Sequence, residues 1–162
     1  MRYIAIIMVM LMFVNVLGCK NPEAAQQNVV EETEKAESQG IWLTDYEKAI
    51  AAAKEKDLPV LINFSGSDWC IWCIKLMEEV FEKEEFVEYA KENLVLLNLD
   101  FPRESAQSKE VQAANQALAE RFGIEGFPTV ILLNSKEEII GQTGYREGGP
   151  EAYVDHLKKM LK

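Results

Sequence analysis

Two short apolar runs set the frame: Leu58–Phe64, L-P-V-L-I-N-F, and Leu94–Asp100, L-V-L-L-N-L-D. Neither alternates apolar with polar residues, as a strand with one wet face would, so each reads as a strand buried on both faces. Between them the spacing turns helical. Cys70–Phe81 carries Leu76, Met77, Val80 and Phe81 as an apolar stripe, and Phe86–Glu92 continues in the same period. Strand, helix and strand in that order imply a parallel pair joined by a crossover, with helices packed over the sheet.

The flanking segments extend the pattern. Thr44-Asp45-Tyr46-Glu47 fits a capping box in which the Thr44 hydroxyl and Glu47 satisfy free backbone N–H groups, and the alanine-rich run to Lys56 predicts a helix that Pro59 stops. Val111–Phe122 is a further helix, ended by Gly123, a residue suited to the left-handed cap. Thr129–Leu133 and Glu138–Gly141 read as strands joined through Asn134-Ser135-Lys136, short enough for an antiparallel hairpin. Gly148-Gly149-Pro150 breaks the chain before a last helix, Glu151–Leu161. The expected class is α/β: a central mixed sheet covered on both faces. No internal repeat is visible, and 162 residues, 48% of them apolar, suffice for one core.

The N-terminus stands apart from that core. Met1-Arg2 is followed by an apolar run, Tyr3–Leu17, shorter than the roughly 20 residues a membrane-spanning helix needs. It reads as an export signal. Its ending, V-L-G-C at Val16–Cys19, resembles a bacterial lipoprotein box. That resemblance implies a signal peptide over residues 1–18 and a lipid-modified Cys19; an ordinary signal with an incidental cysteine is the alternative. Lys20–Gly40 is polar and acidic with few large apolar residues, the composition of a flexible tether, so residues 19–40 are expected to link a membrane to a domain spanning 41–162. The net charge of −10, with no cluster of Lys and Arg, argues against nucleic acid as a partner.

Chemistry concentrates in G-S-D-W-C-I-W-C-I-K, Gly66–Lys75, which holds two of the three cysteines. Cys70 and Cys73 fall at a strand-to-helix junction, where unpaired N–H groups and the helix dipole favour a thiolate on the first cysteine. A redox pair, half a metal site and two small core residues all remain open on spacing alone. A closed metal site wants four ligands, and His156 is the one histidine. No resident metal or cofactor is assigned, although two chains could share an ion; His156 is read as solvated or at the edge of the core. As a redox pair, Cys70 would attack a client disulfide and Cys73 would resolve the mixed disulfide.

The element order, with C-x-x-C after the first strong strand and a proline before the hairpin, resembles the thioredoxin fold from Ile41 to Leu161. Its markers are W-C-I-W-C at Trp69–Cys73 and G-F-P-T at Gly126–Thr129. The nearest likeness is to bacterial thioredoxin-like proteins with a G-S-D-W-C-x-W-C signature, with W-L-T-D-Y-E-K-A before the first strand and G-Y-R-E-G-G-P-E-A-Y before the last helix. The resemblance implies a cis Pro128 facing the disulfide, Phe127 and Thr129 flanking a groove for an extended client, and Trp69 and Trp72 as platform and lid. It also implies a thiol–disulfide oxidoreductase whose partners are protein thiols and disulfides and, in an exported setting, a membrane electron donor. Two positions depart from the pattern. Asn63 stands where many relatives carry a buried Asp that moves the proton of the second cysteine, and Leu97 where a buried Lys is frequent; water or a carboxylate such as Glu125 would then assist Cys73. The Ile71-Trp72 dipeptide has no charge and no histidine, and Asp68 would oppose a thiolate slightly, which favours a reductant or an intermediate potential. A binding module on the same fold, without redox turnover, is the alternative.

Overall fold

A computed structural model describes residues 41–162; the expected signal peptide, Cys19 and the tether lie outside the described residues. The elements run β1 (Trp42–Leu43), α1 (Tyr46–Lys56), β2 (Val60–Ser65), α2 (Ile71–Leu76) continuing into a π-helical turn (Met77–Phe81), α3 (Glu84–Asn93), β3 (Val95–Asp100), α4 (Lys109–Phe122), β4 (Thr129–Leu133), β5 (Ile139–Thr143) and α5 (Gly149–Met160). The five strands form one mixed sheet in the order β1-β3-β2-β4-β5. β2 pairs in parallel with β3, Val60 opposite Val95 through Ser65 opposite Asp100. On its other edge β2 runs antiparallel to β4, and β4 antiparallel to β5 with a bulge at Leu132/Leu133.

Alternation along the strands divides the core into two layers. Val60, Ile62, Phe64, Leu97, Leu99, Ile131 and Leu133 face α1 and α4 through Ala49, Ile50, Ala53 and Ala119. Leu61, Leu96, Val130 and Leu132 face α2, α3 and α5 through Leu76, Phe86, Ala90, Tyr153 and Leu157. Helices therefore cover both faces, as the fully apolar strands require.

Local differences from the sequence reading have physical reasons. α1 is capped by Asp45 rather than Thr44: the Asp45 carboxylate accepts the Lys48 N–H at 3.0 Å. β1, two residues long, is too short to show a period, and exists because Trp42 and Leu43 pair in parallel with Leu96 and Leu97 of β3. The expected single helix over Cys70–Phe81 widens at its end, where the Glu82 N–H reaches back to the Met77 carbonyl at 2.9 Å. This extra residue lets consecutive Val80 and Phe81 both turn fully inward, Phe81 meeting Trp42, Phe86 and Tyr153. β5 starts and ends later than expected, at Ile139 and Thr143. α4 does end at Gly123, in the left-handed region at φ 64°.

Candidate active site

β2 carries the chain to one end of the sheet, and Gly66–Trp69 turn it into α2. Cys70 is the N-cap of α2, its backbone still extended, and its Sγ accepts the Cys73 N–H at 3.3 Å. The Cys73 N–H is shared between this sulfur and the Cys70 carbonyl, which it meets at 2.9 Å. Cys73, one turn in, is disulfide-bonded to Cys70, and its Sγ accepts the Gly66 N–H at 3.5 Å. Both cysteines are buried as residues, yet Ile71 and Trp72 between them are exposed.

The two tryptophans differ. Trp72 is 50% exposed, lies 5.2 Å from the Tyr145 ring and has the Lys75 ammonium 5.3 Å from its centroid. Tyr145 in turn donates its hydroxyl to Glu79 at 2.6 Å, which pushes its pKa up to about 12. Trp69 is half-buried and pinned on several sides. Its Nε1–H donates to the Phe101 carbonyl at 2.8 Å, its ring meets Phe127 edge-on at 5.7 Å, and the Arg103 guanidinium stacks 3.6 Å from its centroid. It forms a fixed wall, whereas Trp72 is the open aromatic surface.

Phe127–Pro128 is a cis peptide, and Phe127 touches both Trp69 and Phe101, so the segment before β4 lies against the cysteine turn. Thr129 is buried at the start of β4, with its hydroxyl donating to the Gly126 carbonyl at 2.7 Å.

A loop absent from the sequence reading completes the wall. After β3, residues 101–105 are tied to the cysteine turn by Asp68, whose carboxylate accepts the N–H groups of Arg103, Glu104 and Ser105 at 2.9, 2.8 and 2.8 Å. These bonds hold the Asp68 carboxyl down at about 2, so it stays ionised. Ser67 reinforces the junction, its N–H and hydroxyl both donating to Asp100. Besides the slight opposition to a thiolate expected of its charge, Asp68 thus serves as a loop clamp. No local signal could have shown this, because the partners lie 35–37 residues away in sequence.

The buried polar pair beneath the site also corrects the sequence reading. Leu97 pairs with Ile62 and packs toward α1 and α4; the residue opposite Asn63 is Asn98, and the Asn63 amide donates to Asn98 Oδ1 at 2.9 Å. Asn63 is buried, and its own Oδ1 has no hydrogen-bond partner. Glu125 is exposed, and the hydrogen bond reaching Cys73 Sγ comes from the Gly66 backbone. His156 sits at the core edge, its Nε2 3.1 Å from the Thr143 hydroxyl; burial, then Arg146 and Lys159, lower its pKa. Among the described residues no three metal-ligating side chains converge.

A family model described as a thioredoxin-like domain matches residues 46–161. The chain belongs to the thioredoxin-like family. It is similar to disulfide bond reductase DsbH of Chlamydia pneumoniae, 28% identical over 144 residues that cover 89% of this chain and 87% of that protein. It is also similar to the thiol:disulfide interchange protein DsbD of Cronobacter sakazakii, 31% identical over 121 residues, but these span only 19% of that longer protein. Among solved structures, a DsbH oxidoreductase superposes with a TM-score of 0.71 at 32% identity, over 74% of this chain and 83% of that one. With a disulfide-bonded C-x-x-C at a helix start in this fold, the thioredoxin-like chain is a thiol–disulfide oxidoreductase.

Proposed function

We propose that the protein reduces disulfides in exported proteins, with Cys70 as the attacking thiolate and Cys73 as the resolving thiol. The observation that carries this reading is the Cys70–Cys73 disulfide at the N-terminus of α2, where Cys70 Sγ already accepts a backbone N–H. In the reduced protein the same donor and the helix dipole would stabilise a Cys70 thiolate. Cys70 attacks one client sulfur, the client S–S bond breaks, and the other client sulfur leaves as a thiolate. Cys73, deprotonated, then attacks Cys70 Sγ, releasing the second client thiolate; two electrons pass to the client and the protein becomes the disulfide. Trp72, Phe127, Pro128 and Thr129 border the groove, and Trp69 backs it.

The direction is supported by the uncharged Ile71-Trp72 dipeptide, which supplies no cation to stabilise the reduced form, and by similarity to a protein named a disulfide bond reductase. Dsb relatives and the sequence of residues 1–19 support an exported location, with lipid on Cys19 and a membrane protein as electron donor. No helix among the described residues is long and apolar enough to cross a membrane.

A glutathione redox titration of the Cys19→Ser protein, with alkylation of free thiols and mass spectrometry, tests the reading. A reversible two-electron couple below the biochemical glutathione poise of about −220 to −260 mV is expected. A potential near that of a strong oxidant, about −120 mV, overturns the reductase direction, and failure to form the disulfide at any poise overturns the redox reading itself.

A further inference from the structure

Arg103 is an exposed residue on the loop after β3, yet its guanidinium is stacked 3.6 Å from the centroid of Trp69, the residue next to Cys70. The loop that carries it is fixed. Its backbone N–H groups at 103, 104 and 105 are held by Asp68, and the Phe101 carbonyl is held by the Trp69 indole N–H. A guanidinium lying on a ring uses its face, while its five N–H donors lie in its plane and point outward. Among the described residues none of the ion pairs engages Arg103. Arg121 is the contrast: it lies over Tyr46 and Phe122 and also pairs with Glu137 at 3.5 Å. Lys75, on the Trp72 side, is within 3.9 Å of Glu79.

We infer that Arg103 selects clients, taking with its fork a carboxylate that flanks the disulfide cysteine. This rests on Cys70 being the attacking residue. A client sulfur at Cys70 Sγ brings its neighbouring residue alongside Trp69, where the outward N–H groups wait, and a carboxylate is the side chain that accepts two parallel bonds from a guanidinium. The chain's net charge of −10 repels acidic clients at long range. The contact therefore acts locally, fixing which way the client segment lies: its acid toward Arg103, its other end toward the exposed Ile71 and Trp72.

The test uses the reduced full chain and pairs of synthetic peptides, each with one intramolecular disulfide, that differ only by Asp or Asn beside a cysteine, on its N-terminal side in one pair and its C-terminal side in the other. Second-order reduction rates are read by chromatography. At low salt, the Asp peptide of one pair is expected to react about fivefold faster, the upper end for an exposed ion pair. The preference fades in molar salt. Arg103→Gln brings the ratio to one, and Arg103→Lys, which keeps the charge but loses the fork, leaves an intermediate ratio. A merely structural role would slow both peptides of a pair equally. A ratio of one in the unsubstituted protein at both positions, or a ratio that survives Arg103→Gln, overturns the inference while leaving the oxidoreductase reading intact. Failure of the protein to reduce any peptide sinks that reading, and this inference with it.

Discussion

A Cβ built on Gly66 would lie 2.5, 2.6 and 2.7 Å from three atoms of the Trp69 indole, well inside contact distance. The backbone of Gly66 is outside the left-handed region, so Gly66→Ala is resisted by the ring alone. The ring has little freedom to yield. To clear the methyl it must loosen the hydrogen bond to the Phe101 carbonyl, the Arg103 stack and the edge contact with Phe127. The hydrogen bond contributes about 1 kcal/mol net, an exposed cation–π contact about 0.5–1 kcal/mol, and an aromatic pair about 0.5–1.5 kcal/mol. Alanine recovers about 0.4–1 kcal/mol by restricting the unfolded chain. The expected net loss is about 2 kcal/mol, or roughly 8 °C in Tm for a domain of this size. Urea unfolding followed by far-ultraviolet circular dichroism measures it, and indole fluorescence reports the ring. The decisive control is a double-mutant cycle with Trp69→Leu: once the ring is gone, Gly66→Ala should cost nothing or stabilise slightly, giving a coupling of about 2 kcal/mol. An equal cost in both backgrounds would show that the methyl strains something other than Trp69.

Cys73→Ser should accumulate a mixed disulfide between Cys70 and a client peptide, visible as a stable mass adduct, while Cys70→Ser should form none; adducts confined to Cys73 would reverse the assigned roles. Asp68→Asn removes the charge that holds three backbone N–H groups, so hydrogen exchange at Arg103, Glu104 and Ser105 should speed up while the β2 and β3 amides stay protected. His156 has a folded pKa below the unfolded value of about 6.5, so in the window below that value the unfolded chain binds more protons. Stability should therefore fall as pH falls through 6.5, and His156→Gln should flatten that slope in urea titrations; an unchanged slope would show that other groups set it.

Much of this could be read from the chain because strand burial and helix period are local signals. The strands expected in Leu58–Phe64 and Leu94–Asp100 form as Val60–Ser65 and Val95–Asp100, the C-x-x-C junction follows the first, and the fold class follows from their order. Phe127–Pro128 is cis, as the family resemblance implied. What escaped has distant causes. β1 exists only through pairing with β3, and the Asp68 clamp only because the chain returns after 35 residues. Asn98 is absent from the sequence reading because only the register of β2 against β3, which sets it opposite Asn63, brings it to the site.

The register of β1 also fixes how the domain would hang. Trp42 pairs with Leu96, which pairs with Leu61, so Ile41 enters level with Val60, at the opposite end of β2 from the cysteine turn. Five residue-to-residue steps of strand separate Val60 from Ser65, about 17 Å of protein. On the proposed tether, which would join the domain at Ile41, the disulfide would lie at the end of the sheet away from the point of attachment. With that attachment, a client in solution would reach the disulfide directly, whereas a donor embedded in the membrane would meet it only after the domain turned over. The length of the proposed tether would then set how often the oxidised and reduced halves of the proposed cycle could alternate.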